Sequence, residues 1–529
     1  MIINPYIYGV ATSYDPDAQL FFNAQTGAGV TLTTTEMNAV NQWVVDSKAI
    51  GIWTKMKAVY PFVGNTASSQ KWNLVNPVDS NAAYRLVFSG GGTFSSAGYL
   101  PNGTNAFADT FFIPSVNGTL NSNHISYYSR TNSNGTEVEM GTNISGVVPT
   151  SILEIRTSGV TYAAINSGAT YTTFTDANSL GLYIGNRTAS NVIKLHKNAS
   201  IVASGTTAST SQSTSSFAIG ALNSGTLRQF YTTKQCAFAS IGDGLTDLES
   251  QLFYQITEKY QVALGRNINA TQSFYYNSAY NNETNAFLFS TQITDNTIQT
   301  ATNTLVSDLK TANIFTKMKA IYPMVGGTAT TCKFNLANAQ DSNAAFRLVF
   351  TGGFTFSSTG ALPNGTNTYA STFLIPATSL SASSSHVSIY NRTAGSGTIN
   401  DWGTSGGALA FATAISLSGT AYLDCYNSTT NRIATANADG KGFYIGNRQS
   451  STSLKLFKNA AQLGTTNANA SVGVASLISP LNLFAYNPAT NFSNRECAFA
   501  SIGDGLTDAE SLAFYNAVQT FNTTLARQV

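Results

Sequence analysis

Glu137 and Glu139, which are separated by one residue, are the first side chains that could take part in catalysis. Most glycosidases cleave sugar chains with a pair of carboxyl groups, which lie about 5 Å apart in retaining enzymes. The matching stretch further along the chain contains Asp401 and Trp402 but no pair of glutamates. Because glutamate is mostly exposed in folded proteins, we expect Glu137 and Glu139 to be solvated on one face of a strand rather than catalytic.

Nucleophilic catalysis would need a histidine beside a serine or a cysteine, and the chain contains three histidines, His124, His196 and His386. His124 and His386 occupy matching places, in NHISYY and SHVSIY. Neither motif carries an acidic residue to orient the ring or a glycine elbow, so we expect packing at the start of a strand with one hydrogen bond. Cys236 and Cys497 stand in the apolar run CAFASIG, which predicts small buried side chains rather than reactive thiols.

Two GDG turns, each followed by a further aspartate, could supply carboxylate ligands to calcium. They contain Asp243 and Asp247 in one case and Asp504 and Asp508 in the other. The spacing does not match an EF-hand loop, and a turn followed by a favourable charge at a helix N-terminus explains all four carboxylates. The four cysteines are scattered without a CxxC pair, which favours neither a disulfide framework nor a zinc site. We therefore predict no cofactor, metal site or catalytic residue.

Other polar and aromatic residues also have structural interpretations. Ion pairs that brace a loop are predicted between Arg85 and Asp79 and, in the matching motif, between Arg347 and Asp341. Core packing is predicted for the tryptophans, turns for the LPNGTN motifs, and a structural role for the arginines that end GLYIGNR and GFYIGNR. These residues are Trp43, Trp53, Trp72, Asn102, Asn364, Arg187 and Arg448.

The elements that must position these side chains are mainly short strands. In NAAYRLVFSG, Tyr84, Leu86 and Phe88 recur at every second position, which predicts a strand with one apolar face and with Arg85 on the other face. Similar short runs are separated by stretches rich in Asn, Gly, Ser and Thr. This pattern predicts a β-sandwich or barrel.

Two helices are predicted to bracket the strands of each copy. Thr33 and Glu36 fit a capping box at the start of the first helix, whose counterpart lies around IQTATNTLVSDLKTANIF. Thr246 and Glu249 fit a second box directly after GDG, ahead of an amphipathic pattern. The apolar positions of that pattern and the matching residues of the second copy are Phe253, Tyr260, Leu264, Thr507, Glu510, Phe514, Phe521 and Leu525.

The chain consists of two copies of one long repeat. TKMKAVYPFVGNTA begins at Thr54 and TKMKAIYPMVGGTA at Thr316, an offset of 316 − 54 = 262 residues. CAFASIGDGLTD occurs twice unchanged. The period far exceeds that of solenoid units, so each copy should be a complete domain with its own core. We predict a first domain over residues 1–266, a connector over 267–285 and a second domain over 286–529.

Composition narrows the function classes. Only 10% of the 529 residues are charged, and 27 basic and 25 acidic residues give a net charge of +2 without a basic run. Roles at nucleic acids or membrane surfaces are therefore disfavoured. The opening MIINPYIYGV lacks a basic start followed by an apolar stretch, and no window approaches 18 apolar residues. We expect synthesis in the cytoplasm without a classical export signal or a membrane span.

Several motifs resemble those of known families. The ending CAFASIGDGLTDAESLAFYNAVQTF is similar to the end of concanavalin A-like, laminin-G-like jelly-roll domains. The wider set TKMKAIYPMVGGTA, DSNAAFRLVF, LPNGTN, GFYIGNR and CAFASIGDGLTD resembles modules of structural proteins of tailed bacteriophages. The resemblance covers both copies. It implies two tandem jelly-roll β-sandwiches in a virion component, namely a tail fibre, head fibre or capsid-surface protein.

The expected function is therefore structural and not enzymatic. The expected partners are other virion proteins and host-surface glycans, the glycans being bound by loops at one rim of a sandwich. The sequence does not determine the oligomeric state, and a homotrimer is compatible with it. The alternatives are a capsid or tail scaffold that contacts only other virion proteins, a polysaccharide depolymerase, and a bacterial surface adhesin. The depolymerase is disfavoured because Glu137 and Glu139 lack the aspartate that glycanases of this fold place between the two glutamates, and because the second copy has no such pair. The missing export signal disfavours the adhesin.

Overall fold

The structure is a computed structural model that describes residues 14–144, 147–268, 276–395, 399–406, 409–428, 431–487 and 489–529. The opening segment on which the export prediction rests, residues 1–13, lies outside this description. The chain divides into two compact units, Met1–Ser278 and Ala279–Val529. The division falls within the predicted connector 267–285, of which residues 269–275 lie outside the described residues. The helix Asn282–Thr291 begins in the last part of that segment.

The predicted capping boxes start the long helices. The side chain of Thr33 accepts a hydrogen bond from the backbone N–H of Glu36, whose carboxylate accepts one from the backbone of Thr33. Thr246 and Thr507 start the last helix of each unit in the same way. A further helix at the start of each unit was not predicted. The α-helices of the first unit are Pro16–Gly27, Thr34–Ala49, Ala67–Gln70, Pro114–Asn117 and Asp247–Ala263, and those of the second are Asn282–Thr291, Asn296–Thr311, Ala329–Cys332, Pro376–Ser379 and Asp508–Thr524. Short 3₁₀ helices span Trp53–Lys55, Asn81–Ala83, Phe315–Lys317 and Asn343–Ala345.

Each unit is a β-sandwich of two sheets, as predicted. The sheet that contains CAFASIG is called the middle sheet, because it packs between the long helices and the other sheet. In spatial order its strands in the first unit are Ser200–Gly205, Val192–Lys197, Gly181–Ala189, Asn123–Ser129, Cys236–Gly242, Gly98–Leu100 and Thr93–Ser95, with Met56–Tyr60 also paired to Cys236–Gly242. In the second unit they are Thr355–Ser357, Gly360–Leu362, Cys497–Gly503, Ser385–Asn391, Gly442–Ser450, Ser453–Lys458 and Ala461–Gln462, with Met318–Tyr322 paired to Cys497–Gly503.

The second sheet of each unit, called the outer sheet, has one face on the core and one face away from it. In the first unit its strands are Thr172–Thr175, Val160–Ala164, Val147–Thr157, Met140–Ile144, Ala218–Ile219, Phe107–Asp109 and Val87–Ser89. Leu222–Asn223 also pairs with Met140–Ile144, and Arg228–Gln229 pairs with Leu222–Asn223. In the second unit they are Val349–Thr351, Tyr369–Ser371, Asn482–Leu483, Trp402–Gly406, Leu409–Leu417, Thr420–Ser428 and Ile433–Ala436. All described pairings between these strands are antiparallel except that of Leu222–Asn223 with Met140–Ile144.

The middle sheet is buried on both faces, which explains why CAFASIG is apolar without alternation. Ala239 and Ile241 point into the core between the sheets. Phe238 points the other way, and its ring lies 5.2 Å from that of Trp43 and 5.9 Å from that of Phe253 on the helices. The helices thus cover a sheet face that would otherwise expose apolar side chains.

The strand predicted over NAAYRLVFSG is largely wrong. Asn81–Ala83 form a 3₁₀ turn, and only Val87–Ser89 pair as a strand. Tyr84 adopts a left-handed backbone with φ of 59°, which a continuous strand cannot contain. Leu86 still belongs to the core, and Tyr84 and Phe88 pack against it from this irregular segment. In the part of the chain that is described, no helix combines the length and apolarity that crossing a membrane requires.

Candidate functional site

The paired glutamates lie in a buried ion-pair cluster, so the expectation that they are solvated is wrong for Glu139. Its carboxylate is fully buried, lies 3.0 Å from Nζ of Lys234 and accepts hydrogen bonds from Thr232 and the backbone of Ile155. The same ammonium lies 2.9 Å from Glu137. Burial lowers the pKa of Lys234, but the two carboxylates outweigh it and hold that pKa above its usual value. A carboxylate satisfied in this way has no access to a substrate.

His124 makes two hydrogen bonds where one was predicted. Its Nδ1 lies 2.6 Å from the carbonyl oxygen of Asp243 and its Nε2 lies 3.0 Å from Oγ of Ser240. The Ser240 hydroxyl in turn lies 2.7 Å from that of Ser126. The ring, the serines and the Phe253 side chain beside them are buried, and burial lowers the pKa of His124 to about 4. The arrangement has the spacing of a base and a nucleophile, but it lies between a helix and the middle sheet.

The second unit repeats this arrangement with His386, whose Nδ1 lies 2.6 Å from the carbonyl of Asp504 and whose Nε2 lies 3.2 Å from Oγ of Ser501. His196 differs, because neither ring nitrogen has a hydrogen-bond partner among the described residues although the side chain is buried. At the position that matches His196 the second unit has Phe457, which pairs with Ile445 on the neighbouring strand.

The aspartates of the GDG turns are engaged with lysines. Asp243 lies 3.1 Å from Lys57, and Asp247, the first residue of its helix, lies 2.6 Å from Lys194. Asp504 and Asp508 pair with Lys319 and Lys455 in the same way. Within the described ranges, no group of three or more His, Cys, Asp and Glu side chains could hold a metal ion.

Most of the remaining structural predictions are confirmed. Arg85 lies 2.6 Å from Asp79, and the matching pair of the second unit has the same distance. Asn102 caps its turn through hydrogen bonds from three backbone N–H groups. Cys236 and Trp43 are buried. Burial likewise applies to Cys497, Trp72, Arg187, Arg448 and Trp402, whereas Trp53 is only half-buried.

A buried arginine that follows the last helix in each unit was not predicted from the sequence. The guanidinium of Arg266 donates to the carbonyls of Pro61, Phe62 and Ala237. Arg527 donates to the matching carbonyls in the second unit. Their signal in the sequence was recurrence at one offset, in LGR and LAR after the helix. They tie the end of the helix to the middle sheet.

An accessible cleft lies on the solvent side of the outer sheet in the second unit. Arg432 donates to both carboxylate oxygens of Asp424, at 2.9 and 2.5 Å, and its guanidinium lies 5.2 Å from the ring centre of Tyr422. Tyr486 lies across Gly403, where any side chain would collide with its ring. The cleft encloses about 200 Å³. Its lining residues are Asn400, Ala414, Leu417, Tyr422, Asp424, Arg432, Tyr486 and Asn491.

The first unit has apolar residues at several of the corresponding positions. Strand register aligns Asp424 with Ala164, since each lies opposite the matching residue of the preceding strand. Ala164 belongs to a buried apolar cluster with Val138, Ile152 and Leu222. Each copy therefore has the same kind of outer sheet, but the side chains on the face away from the core differ in chemistry. The cleft lies on the sheet face and not among the rim loops where a glycan site was expected.

No family model matches the chain, and no curated protein is significantly similar to it. Among solved structures, domain 4 of an extracellular arabinanase from Geobacillus stearothermophilus, in complex with arabinotriose, is 13% identical with a TM-score of 0.28, over 38% of this chain and 98% of that one. Mouse laminin α1 domains LG4-5 are 10% identical with a TM-score of 0.18, over 72% and 80%. A Trypanosoma rangeli sialidase mutant is 13% identical with a TM-score of 0.31, over 48% and 39%. These likenesses concern the β-sandwich fold alone.

Proposed function

We propose that this chain is a non-enzymatic structural protein on the surface of a bacteriophage particle, a tail or head fibre or related surface protein that contacts host glycans. The resemblance of its repeated motifs to phage structural modules supports the virion role. The observation that carries the non-enzymatic role is the burial of the candidate groups. Glu139, His124 and His386 are fully buried and satisfied by protein partners.

A polar surface with few charges supports the same role. Charged residues make up 10% of the chain, and most described ones are held in ion pairs within one unit. Neutral polar groups hydrogen-bond to water without the salt dependence of charged surfaces. Such a surface suits a protein that must stay soluble outside cells at varied ionic strength.

A second candidate function is a scaffold that binds only other virion proteins. Three large apolar side chains of the first unit favour it, because Tyr171, Leu227 and Phe230 are 40%, 56% and 47% exposed. Exposed apolar residues of this size are typical of protein interfaces when they are contiguous. Tyr171 and Phe230 occupy positions that match Arg432 and Asn491 of the polar cleft.

The test is to locate the protein in purified particles by mass spectrometry and by electron microscopy with a specific antibody. A projecting position, together with competition of the purified protein against phage adsorption, is the expected result. A buried or ring position would favour the scaffold, and absence from the particle would overturn the proposal. Release of reducing ends from host capsule by the purified protein would establish a depolymerase instead.

A further inference from the structure

We propose that the cleft on the outer sheet of the second unit binds one neutral sugar ring of a glycan. This inference rests on the glycan contact in the proposed function and gives it a place and a ligand class. The volume of the cleft, about 200 Å³, is below the ~300–1,000 Å³ of pockets for drug-sized ligands. A single ring of a chain, with its neighbours outside the cleft, fits that size.

Charge in the cleft favours a neutral ligand. Asp424 and Arg432 are the charged residues that line it, and they neutralise each other through two hydrogen bonds. Asp424 is almost completely buried, so replacing its partner by a cation from solution would break a well-formed pair. An anionic sugar would meet the Asp424 carboxylate and would have to compete with it for Arg432. The cleft therefore attracts neither cationic nor anionic ligands.

Hydrogen-bonding groups around this pair suit hydroxyls. Asn400 and Asn491 present amides, which contain both donors and acceptors, and Nδ2 of Asn491 lies 3.3 Å from Oδ1 of Asn400. Tyr422 and Tyr486 are only partly buried, and each brings a hydroxyl that can both donate and accept. A sugar hydroxyl both donates and accepts, so it can satisfy such mixed groups, which an apolar ligand would leave unpaired.

An aromatic wall completes the cleft. Tyr486 packs closely on Gly403, where a side chain would collide with its ring, and the Arg432 guanidinium covers one side of the Tyr422 ring. Aromatic side chains with a polar tip bury the C–H face of a ligand while bonding at its edge. A sugar ring has such a face between its hydroxyls.

The first unit is a control supplied by the duplication. At four of the matching positions it holds apolar residues that cannot bond to hydroxyls, although Tyr162 stands where the second unit has Tyr422 and Glu154 where it has Ala414. By strand register and matching backbone hydrogen bonds, the positions of Asn400, Asp424, Tyr486 and Asn491 are taken by Val138, Ala164, Leu222 and Phe230. Installing first-unit residues in the second unit thus removes the site with side chains that the fold accepts.

The experiment uses the full chain and saturation-transfer NMR, with methyl glycosides and oligomers of glucose, galactose, mannose, arabinose and N-acetylglucosamine as probes. Oligogalacturonate is the anionic comparison. We expect transfer to at least one neutral probe, an affinity loss of about tenfold or more in the Asn400→Val/Tyr486→Leu variant, and a smaller loss in Tyr422→Phe. The matched first-unit variant Phe230→Ala should bind as the unaltered chain does.

Folding of each variant is checked by its thermal unfolding curve, and Tyr422→Phe serves if the double variant does not fold. The inference is overturned if no neutral probe shows transfer, if oligogalacturonate binds more tightly, or if binding survives in folded cleft variants. If no sugar binds, the result of locating the protein in phage particles still stands. Absence from particles, in turn, would sink the proposed function while the sugar measurement still stands.

Discussion

Asp401 and Arg495 form a fully buried ion pair with an N–O distance of 2.9 Å, at the positions where the first unit has Glu139 and Lys234. The backbone N–H of Ile415 also donates to Asp401. The shorter acid is matched with the longer base in the second unit, and the longer acid with the shorter base in the first. What the two copies share is the pair and its burial, which supports a structural role for both.

Breaking the pair in the first unit should be costly. Lys234→Met leaves Glu139 as a buried charge without its partner, so we expect the free energy of unfolding to fall by about 3–5 kcal/mol. Urea unfolding followed by tryptophan fluorescence measures it, because Trp43, Trp53 and Trp72 report on the first unit. The control Lys71→Met removes a pair with an exposed Asp79 and should cost ~1 kcal/mol or less. Equal losses in the two variants would contradict the structural role.

His196 should make the first unit sensitive to acid. Burial lowers its pKa to about 4 from the ordinary 6.5, so between these values the unfolded chain takes up a proton that the folded chain refuses. The stability that the neutral ring provides is complete above pH 6.5 and is lost as the pH falls through 4. The expected loss from this residue is ~3 kcal/mol at most.

The variant His196→Phe, which installs the residue of the second unit, should be at least as stable at pH 7 because it removes two unpaired buried nitrogens. Its stability should fall less between pH 7 and pH 4.5 than that of the unaltered chain. Urea unfolding at both pH values tests this, with Phe457→Leu as a control that leaves titration unchanged. A steeper fall in His196→Phe would show that the ring is not buried in its neutral form.

Arg266 should not be replaceable by lysine. Its planar guanidinium reaches carbonyls on separate segments at once, and an ammonium lacks that fork. We expect Arg266→Lys to lower the free energy of unfolding by ~3 kcal/mol or more. Arg85→Lys, at a half-exposed ion pair, is the comparison and should change it by less than ~1 kcal/mol. Full stability in Arg266→Lys would mean that the carbonyls find other donors.

Ser240 and Ser501 should resist serine-directed reagents despite their histidine neighbours. Both hydroxyls are buried beneath the last helix of their unit, and their histidines have a lowered pKa. After incubation of the folded chain with a fluorophosphonate, intact-mass and peptide mass spectrometry should find neither serine modified. An adduct on either one would reopen the hydrolase interpretation. Chymotrypsin treated in parallel verifies the reagent.

The starts of the capped helices and the duplication of the chain could both be predicted from the sequence. Thr246 with Glu249, and Thr507 with Glu510, predicted helix starts that the structure confirms, because a capping box depends on residues three apart in sequence. The strand runs and the offset between the copies likewise predicted two β-sandwiches. Each of these features rests on neighbours along the chain or on comparison of the chain with itself.

Tertiary structure alone decided which polar groups are buried and which are accessible. Nothing near Glu139 in sequence indicates Lys234, which lies 95 residues away and comes beside it only in the folded chain. The same holds for the cleft, where Asp424 and Tyr486 come together from distant segments. Burial of a charge depends on whether a partner arrives through the fold, so residue types and spacing could not separate a buried ion pair from a solvated glutamate.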